Sequence, residues 1–239
     1  GVKVSDIILE QLASADAVLT ESEREIGVGI IDIGGGTSDF AIYRNGRIIH
    51  SKVLPLAGDH FTNDLAVAFG ISKNQAEQLK KIYGAVDKKH EREFGNNILD
   101  IDLGYDGGIK SVCVSDIIDV LNFRAEEIFE LFNDEITEFN LRNFVMSGIV
   151  LTGGGSLLSG IKNIAAEKLD LSVRLGCPIS DLKSVSGIIP DVLKSPIYST
   201  AYGLLVYVVN NEEGTFNNPN SFGLNKIFKR MQSWLYDFL

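Results

Sequence analysis

Twice in this chain an apolar run ends in three consecutive glycines and then a hydroxyl residue. The first is Ile30-Ile31-Asp32-Ile33-Gly34-Gly35-Gly36-Thr37 and the second is Ile149-Val150-Leu151-Thr152-Gly153-Gly154-Gly155-Ser156. A short apolar run bounded by glycine reads as a buried strand, and glycine at its end lets the backbone approach a ligand closely. Successive amides in such a turn converge on an anion. Two such turns in one core restrict the fold more than either alone, because two strand ends must deliver them to one place. A chain of 239 residues can build one large domain or two small ones around that core.

The rest of the pattern fits an α/β order. Residues 4–20 place Val4, Ile7, Ile8, Leu12, Ala15 and Leu19 on one helical face, and the charged stretch Thr20–Glu25 breaks that period. From Gly27 the period becomes that of strands, and Asn45-Gly46 between two β-rich runs predicts a type I′ hairpin. Two helices follow over 59–69 and 72–83, separated by Gly70 and started by Ser72. After a mixed-charge loop, the runs ending at Gly104 and starting at Gly108 read as a second hairpin. Ser115 is placed to cap a long helix to about Phe139, with Ile117, Ile118, Leu121, Ile128, Phe132 and Ile136 buried. The second glycine turn is expected to run directly from strand into helix, presenting amides and the helix dipole to a ligand. A short strand and an apolar helix from Pro196 to near Val209 complete the core.

In the first turn the amides of Gly34, Gly35, Gly36 and Thr37 are the candidate phosphate donors, with the Thr37 hydroxyl as a further contact. Asp32 would repel phosphate, so its role would be to hold Mg²⁺ through water or to orient an attacking water. The alternative is a tight hairpin with no ligand, since one glycine cluster is a weak signal. Neither stretch has the spacing of a dinucleotide fingerprint or of a Walker loop.

Taken together, Asp32 to Thr37, the Asn-Gly hairpin, Ala76-Glu77-Gln78-Leu79-Lys80, the turn at Gly153 and the run Tyr198-Ser199-Thr200-Ala201-Tyr202-Gly203 resemble the second half of an actin-fold ATPase. Within that superfamily of actins, chaperones and sugar kinases, the segments most resemble the FtsA family of bacterial actin-like division proteins, over nearly the whole chain. The resemblance implies an actin-like, ribonuclease H-like α/β ATPase subdomain with a small inserted α+β lobe. The large subdomain would span residues 1–58 and 115–209, the small lobe 59–114, a flexible linker 210–224 and an amphipathic helix 225–239. It also implies that Asp32 through Thr37 form a phosphate motif and that Gly153, Gly154 and Gly155 leave room for base and ribose. Glu77 and Lys80 would face the ribose and adenine edge; read from spacing alone, they are a plain i, i+3 ion pair. Gly58, following the hairpin, is a weaker site candidate, and Asp59 could cap its helix.

The same resemblance implies ATP with Mg²⁺ as cofactors, head-to-tail self-polymerisation, and tethering of FtsZ, whose C-terminal peptide would dock on the small lobe, to the inner face of the cell membrane at the septum. Alternatives within the superfamily are a small-molecule kinase or phosphatase and a pilus-assembly relative. Family members also carry a first half with another phosphate loop, and nothing before Ile30 matches it. The expectation is therefore a C-terminal half with little catalytic activity by itself.

Residues 225–239 place Ile227, Phe228, Met231, Trp234, Leu235, Phe238 and Leu239 on one helical stripe, with Lys226, Lys229 and Arg230 at the polar side. Fifteen residues rise only about 22 Å, too short to span the hydrocarbon comfortably, so the helix is expected to lie in the interface. Each basic residue near anionic lipid contributes about 1 kcal/mol. Docking of this helix on the protein's own core is the alternative.

The remaining composition excludes more than it suggests. A net charge of −10 argues against a broad nucleic-acid surface. Cys113 and Cys177 are far apart and read as reduced thiols. His50, His60 and His90 have no metal-ligand spacing, and Tyr198 and Tyr202 read as core or lobe-interface residues.

Overall fold

The computed structural model describes residues 4, 6–87, 96–103, 107–179 and 191–212. The expected linker beyond Glu212, the segment 225–239 with all its named apolar and basic residues, and His90 lie outside the described residues.

A five-stranded sheet forms the centre: β1 (Val28–Ile33), β2 (Ser38–Arg44), β3 (Arg47–Leu54), β6 (Ile149–Thr152) and β7 (Val173–Leu175), in the order β3-β2-β1-β6-β7. The first three are antiparallel, and β1, β6 and β7 run parallel. Asn45 and Gly46 both have positive φ, 52° and 69°, as the type I′ hairpin requires. Strand β1 is buried along its whole length, which is why it reads as a continuous apolar run instead of an alternating one. Its register with β6 pairs Asp32 with Thr152, so the two strands end level and both glycine turns emerge from the same edge. That edge is the carboxyl end of the parallel strands, where open α/β sheets place ligands.

On one face Val28, Ile30, Ala41 and Tyr43 pack against α1 (Glu10–Val18) and α7 (Ser199–Glu212). On the other, Ile31, Ile33, Phe40 and Ile42 meet the stripe of α5 (Val114–Glu138), with α6 (Ile161–Leu169) alongside. The same apolar cluster continues through α3 (Gly58–Phe69) and α4 (Lys73–Tyr83) into the hairpin β4 (Ile98–Asp102) and β5 (Ile109–Cys113). Gly70 ends α3 in the left-handed region, and Ser72 starts α4 in a capping box with Gln75.

Four local expectations are corrected. The first helix is shorter than residues 4–20, and Val4 and Ile7 are exposed while Ala13, Ser14, Ala15 and Ala17 are buried. The reason is close helix packing: a Cβ on Gly203 of α7 would lie 1.7 Å from the Ala13 carbonyl, so α1 presents small residues there, not its large ones. The charged stretch after it is itself a helix, α2 (Glu21–Ile26), because Thr20 and Glu23 form a capping box. Helix α5 begins at Val114, two residues earlier than a cap at Ser115 implies, with Cys113 as its flanking residue. Helix α7 continues to Glu212, across the first residues assigned to the linker. Neither Cys113 nor Cys177 is in a disulfide among the described residues.

Candidate functional site

The first glycine turn joins β1 to β2. Gly34 N–H donates to the Thr37 carbonyl at 2.9 Å, closing the turn, so one of the four expected phosphate donors is already engaged. The amides of Gly35, Gly36 and Thr37 have no acceptor among the described residues. The carbonyls of Gly34 and Gly35 accept from the amides of Gly58 and Asp59 at 3.0 and 2.8 Å, which fixes the start of α3 against the turn. A Cβ on Gly58 would lie 3.0 Å from the Gly34 carbonyl oxygen, so glycine is needed there for this approach. The Thr37 hydroxyl is turned toward Asp39, donating at 3.1 Å.

Asp32 stands at the end of β1 on the face toward α1 and α7. Its Oδ2 accepts from the hydroxyls of Ser14 and, at 3.1 Å, Thr200. The two hydroxyls are themselves 2.9 Å apart. Burial holds the Asp32 carboxyl above the usual carboxylate range; the Ser14 and Thr200 hydrogen bonds pull the other way, and the charges of Asp39 and Glu10 add to the rise. Asp39, its cross-strand partner, is also raised by burial. Ser14 and Thr200 escaped the sequence reading because a serine in a small-residue helix and a threonine far along the chain carry no shared pattern.

The second turn differs from expectation. Gly154–Leu157 forms one tight 3-10 turn, and α6 starts only at Ile161, after Gly160 in the left-handed region. No α-helix terminus therefore abuts these glycines. Gly153 has φ +83° and packs inward, where a Cβ would lie 2.2 Å from Asp32 Oδ1 and 2.5 Å from the Ile33 carbonyl. A Cβ on Gly155 would come within 2.3 Å of Ile33 Cγ2, whereas one on Gly154 would meet nothing closer than Ile197 at 4.0 Å.

On α4, Glu77 and Lys80 form the i, i+3 pair at 2.7 Å. The pair is more than a surface contact: Lys80 Nζ also donates to the Gly58 carbonyl at 2.9 Å and the Thr62 hydroxyl at 2.8 Å. Glu77 further accepts from Thr62 and pairs with Lys81 at 3.3 Å. Burial pushes the Glu77 carboxyl up, but hydrogen bonds from Lys80 and Thr62, the Lys80 charge and Lys81 outweigh it and hold it down to about 2.

These segments enclose a cleft of about 540 Å³ at the carboxyl edge of the sheet. Gly34, Gly35, Glu77, Lys80, Gly154 and Gly155 line it, brought together from three separate parts of the chain. Asp32, Gly36, Thr37 and Gly153 do not line it. Residues outside the sequence-derived set complete the wall, notably Asp59, Lys81, Gly84 and the apolar Leu157, Leu158 and Ile197. His50 and His60 serve structure, His50 bonding Glu135 at 2.8 Å and His60 accepting from the Ala57 amide. Among the described residues there is no cluster of three or more His, Cys, Asp or Glu side chains able to hold a metal.

A family model described as cell division protein FtsA matches residues 29–203. The cell division protein FtsA of Pseudomonas aeruginosa is 42% identical over 207 residues, covering 87% of this chain and 48% of that protein. That of Escherichia coli K12 is 34% identical over 251 residues, covering 98% of this chain and 57% of the relative. The chain thus spans about half the length of the curated relatives it matches. Among solved structures, MreB5 of Spiroplasma citri bound to ADP superposes with a TM-score of 0.69 at 24% identity, over 91% of this chain and 64% of that one. A PilM-PilN type IV pilus biogenesis complex gives 0.61 at 19% identity, over 86% and 53%. At these identities the likeness shows the fold, which is actin-like.

Proposed function

This chain belongs to the FtsA family of actin-like cell-division proteins, and from that membership we propose that it supplies one wall of an ATP site in a protein that polymerises head to tail and tethers FtsZ to the membrane. The observation that carries the nucleotide reading is the convergence of Gly34, Gly35, Glu77, Lys80, Gly154 and Gly155 on a single cleft. The Gly35 amide, which lines the cleft, would meet phosphate oxygens, Gly154 would leave room for the nucleoside, and Glu77 would accept from ribose hydroxyls. Leu157, Leu158 and Ile197 offer the apolar contact a base requires. The curated relatives are about twice as long, and we place the opposing wall in the part of their length that this chain does not match.

Mg²⁺ would be held only indirectly, because Asp32 does not itself line the cleft. That ion keeps several waters and takes one or two carboxylates plus phosphate oxygens, so Asp32 alone suffices and a caged cluster is not needed. When bound it neutralises charge on the phosphates. Asp32, its carboxyl oriented by Ser14 and Thr200, would hold the ion through water.

For the peptide of FtsZ, we assign an open groove of about 430 Å³ between α3 and α5, with exposed Val67 and Phe123 beside Arg124. The Arg124 guanidinium is held by Asp64 at 2.6 and 2.9 Å and also pairs with Glu127, so apolar anchors flank a fixed, charge-compensated guanidinium. Membrane attachment rests on the periodicity of residues 225–239. No described helix is long and apolar enough to cross a membrane. From the family membership and that periodicity we place the protein peripherally at the inner face of the septal membrane.

Flotation with anionic liposomes tests the tether: the intact chain should float and the chain lacking residues 225–239 should not. Binding of an FtsZ C-terminal peptide should be lost with Phe123→Ser. If neither liposome nor peptide is bound, the adaptor reading fails. Calorimetry with Mg-ATP should show weak binding by this chain, and tight binding would refute the divided site.

A further inference from the structure

An ammonium group has three N–H donors and no acceptor. Lys80 Nζ has three acceptors in place: Glu77 Oε2 at 2.7 Å, the Thr62 hydroxyl at 2.8 Å and the Gly58 carbonyl at 2.9 Å. Its side chain is only 13% exposed although the residue borders the cleft. A lysine so placed has no donor left for a ribose or a base. What it does hold is the first residue of α3. Gly58 in turn donates to the Gly34 carbonyl at 3.0 Å, and the next amide, Asp59, donates to Gly35 at 2.8 Å. A continuous path of hydrogen bonds therefore runs from Glu77 through Lys80 and Gly58 to the first glycine turn.

We propose that Lys80 is a positioning residue for the phosphate-facing turn Gly34–Thr37, acting through the start of α3, and that Glu77 is the member of the pair that meets the ligand. The inference rests on the nucleotide reading of the cleft but makes a separable claim. If Lys80 touched the nucleoside, its removal would weaken every ligand carrying that nucleoside by the same factor. If it positions the turn, the loss grows with the number of phosphates. The pair also divides physically: Glu77 Oε1 has only Lys81 at 3.3 Å, leaving acceptor capacity toward the cleft.

The test is a set of NMR titrations of this chain with adenosine and with Mg-ADP in the millimolar range. Lys80→Met should leave adenosine affinity within about twofold and weaken ADP about five- to tenfold, the scale of one lost hydrogen-bond constraint. Glu77→Gln should weaken both ligands by a similar factor. Lys80→Gln, which keeps a donor for the Gly58 carbonyl, should recover part of the ADP affinity. Equal losses on adenosine and ADP in Lys80→Met would overturn the proposal. Amide hydrogen exchange gives a ligand-free readout: Gly58 and Asp59 should exchange faster in Lys80→Met than in the parent, and unchanged protection there would also overturn it. Should the parent bind neither ligand, the nucleotide reading falls while the exchange result still decides the positioning role.

Discussion

The two triple-glycine turns share a sequence theme and leave the same edge of the sheet, yet their glycines are there for opposite reasons. In Gly34-Gly35-Gly36 the backbone needs no positive φ, and a Cβ on Gly36 would meet nothing within 4 Å. Gly34 is close to the Thr37 carbonyl, but Gly35 and Gly36 leave space open outward, Gly35 at the cleft itself. In Gly153-Gly154-Gly155 two of the three are filled inward: Gly153 against Asp32 and Gly155 against Ile33. That turn lets β6 close on the end of β1, and only its middle glycine faces open space. Glycine as access and glycine as packing are indistinguishable in a sequence of three identical letters.

Substitution separates the two. Gly153→Ala combines a left-handed φ with a collision against a buried carboxylate and a backbone carbonyl, and should lower unfolding free energy by about 2–4 kcal/mol in urea titration. Gly155→Ala has no left-handed φ but meets Ile33 at Cγ2 and Cβ, with the Ile33 carbonyl oxygen at 3.1 Å, so a loss of about 1–3 kcal/mol is expected. A neutral result at Gly153 would break the contrast.

The carboxylates beside the two turns sharpen it through acid response. Asp32 has its folded pKa raised, chiefly by burial, so the folded state gains protons first and stability falls as pH rises through that raised value. Asp32→Asn should therefore stabilise the chain at neutral pH by about 1 kcal/mol, measured by thermal melting, while abolishing any Mg²⁺ effect on nucleotide binding. Glu77 behaves in the opposite sense. Its folded pKa lies near 2 against an ordinary 4.5, so its contribution is present above about 4.5 and is lost as pH falls toward 2. Acid melts of Glu77→Gln should lack that part of the transition. Since Glu77 is about one-third exposed, solvent screening keeps this effect below that of Asp32. Least of all, Gly36→Ala should leave stability within about 0.5 kcal/mol of the parent, since it touches nothing.

Much of the frame was legible in the residues. The Asn45-Gly46 hairpin, the Gly70 and Ser72 helix signals and the α5 stripe all follow from local geometry, and each appears in the structure as read. The cleft was legible in part: six residues singled out by motif do line it, but the apolar wall of Leu157, Leu158 and Ile197 carried no signal. Errors arose both where a tertiary neighbour set the outcome and where a short-range hydrogen bond did. Helix α1 buries alanines because α7 comes within contact of its backbone at Gly203, a distance no periodicity encodes. The helix expected directly after Gly155 starts later because Gly154–Leu157 closes as a tight turn, with Ser156 Oγ donating back to the Gly153 carbonyl at 2.7 Å.

By itself, then, the sequence determined the α/β class, the strand ends that carry glycine and the residue types gathered around them, because each depends on a few adjacent residues. Which glycines open toward a ligand, which hydroxyls hold Asp32 and what Lys80 spends its donors on were decided by the tertiary structure. Those roles depend on partners 18 to 168 residues away. The parallel register of β1 and β6, the close approach of α1 to α7 and the packing of α4 on α3 bring them into contact.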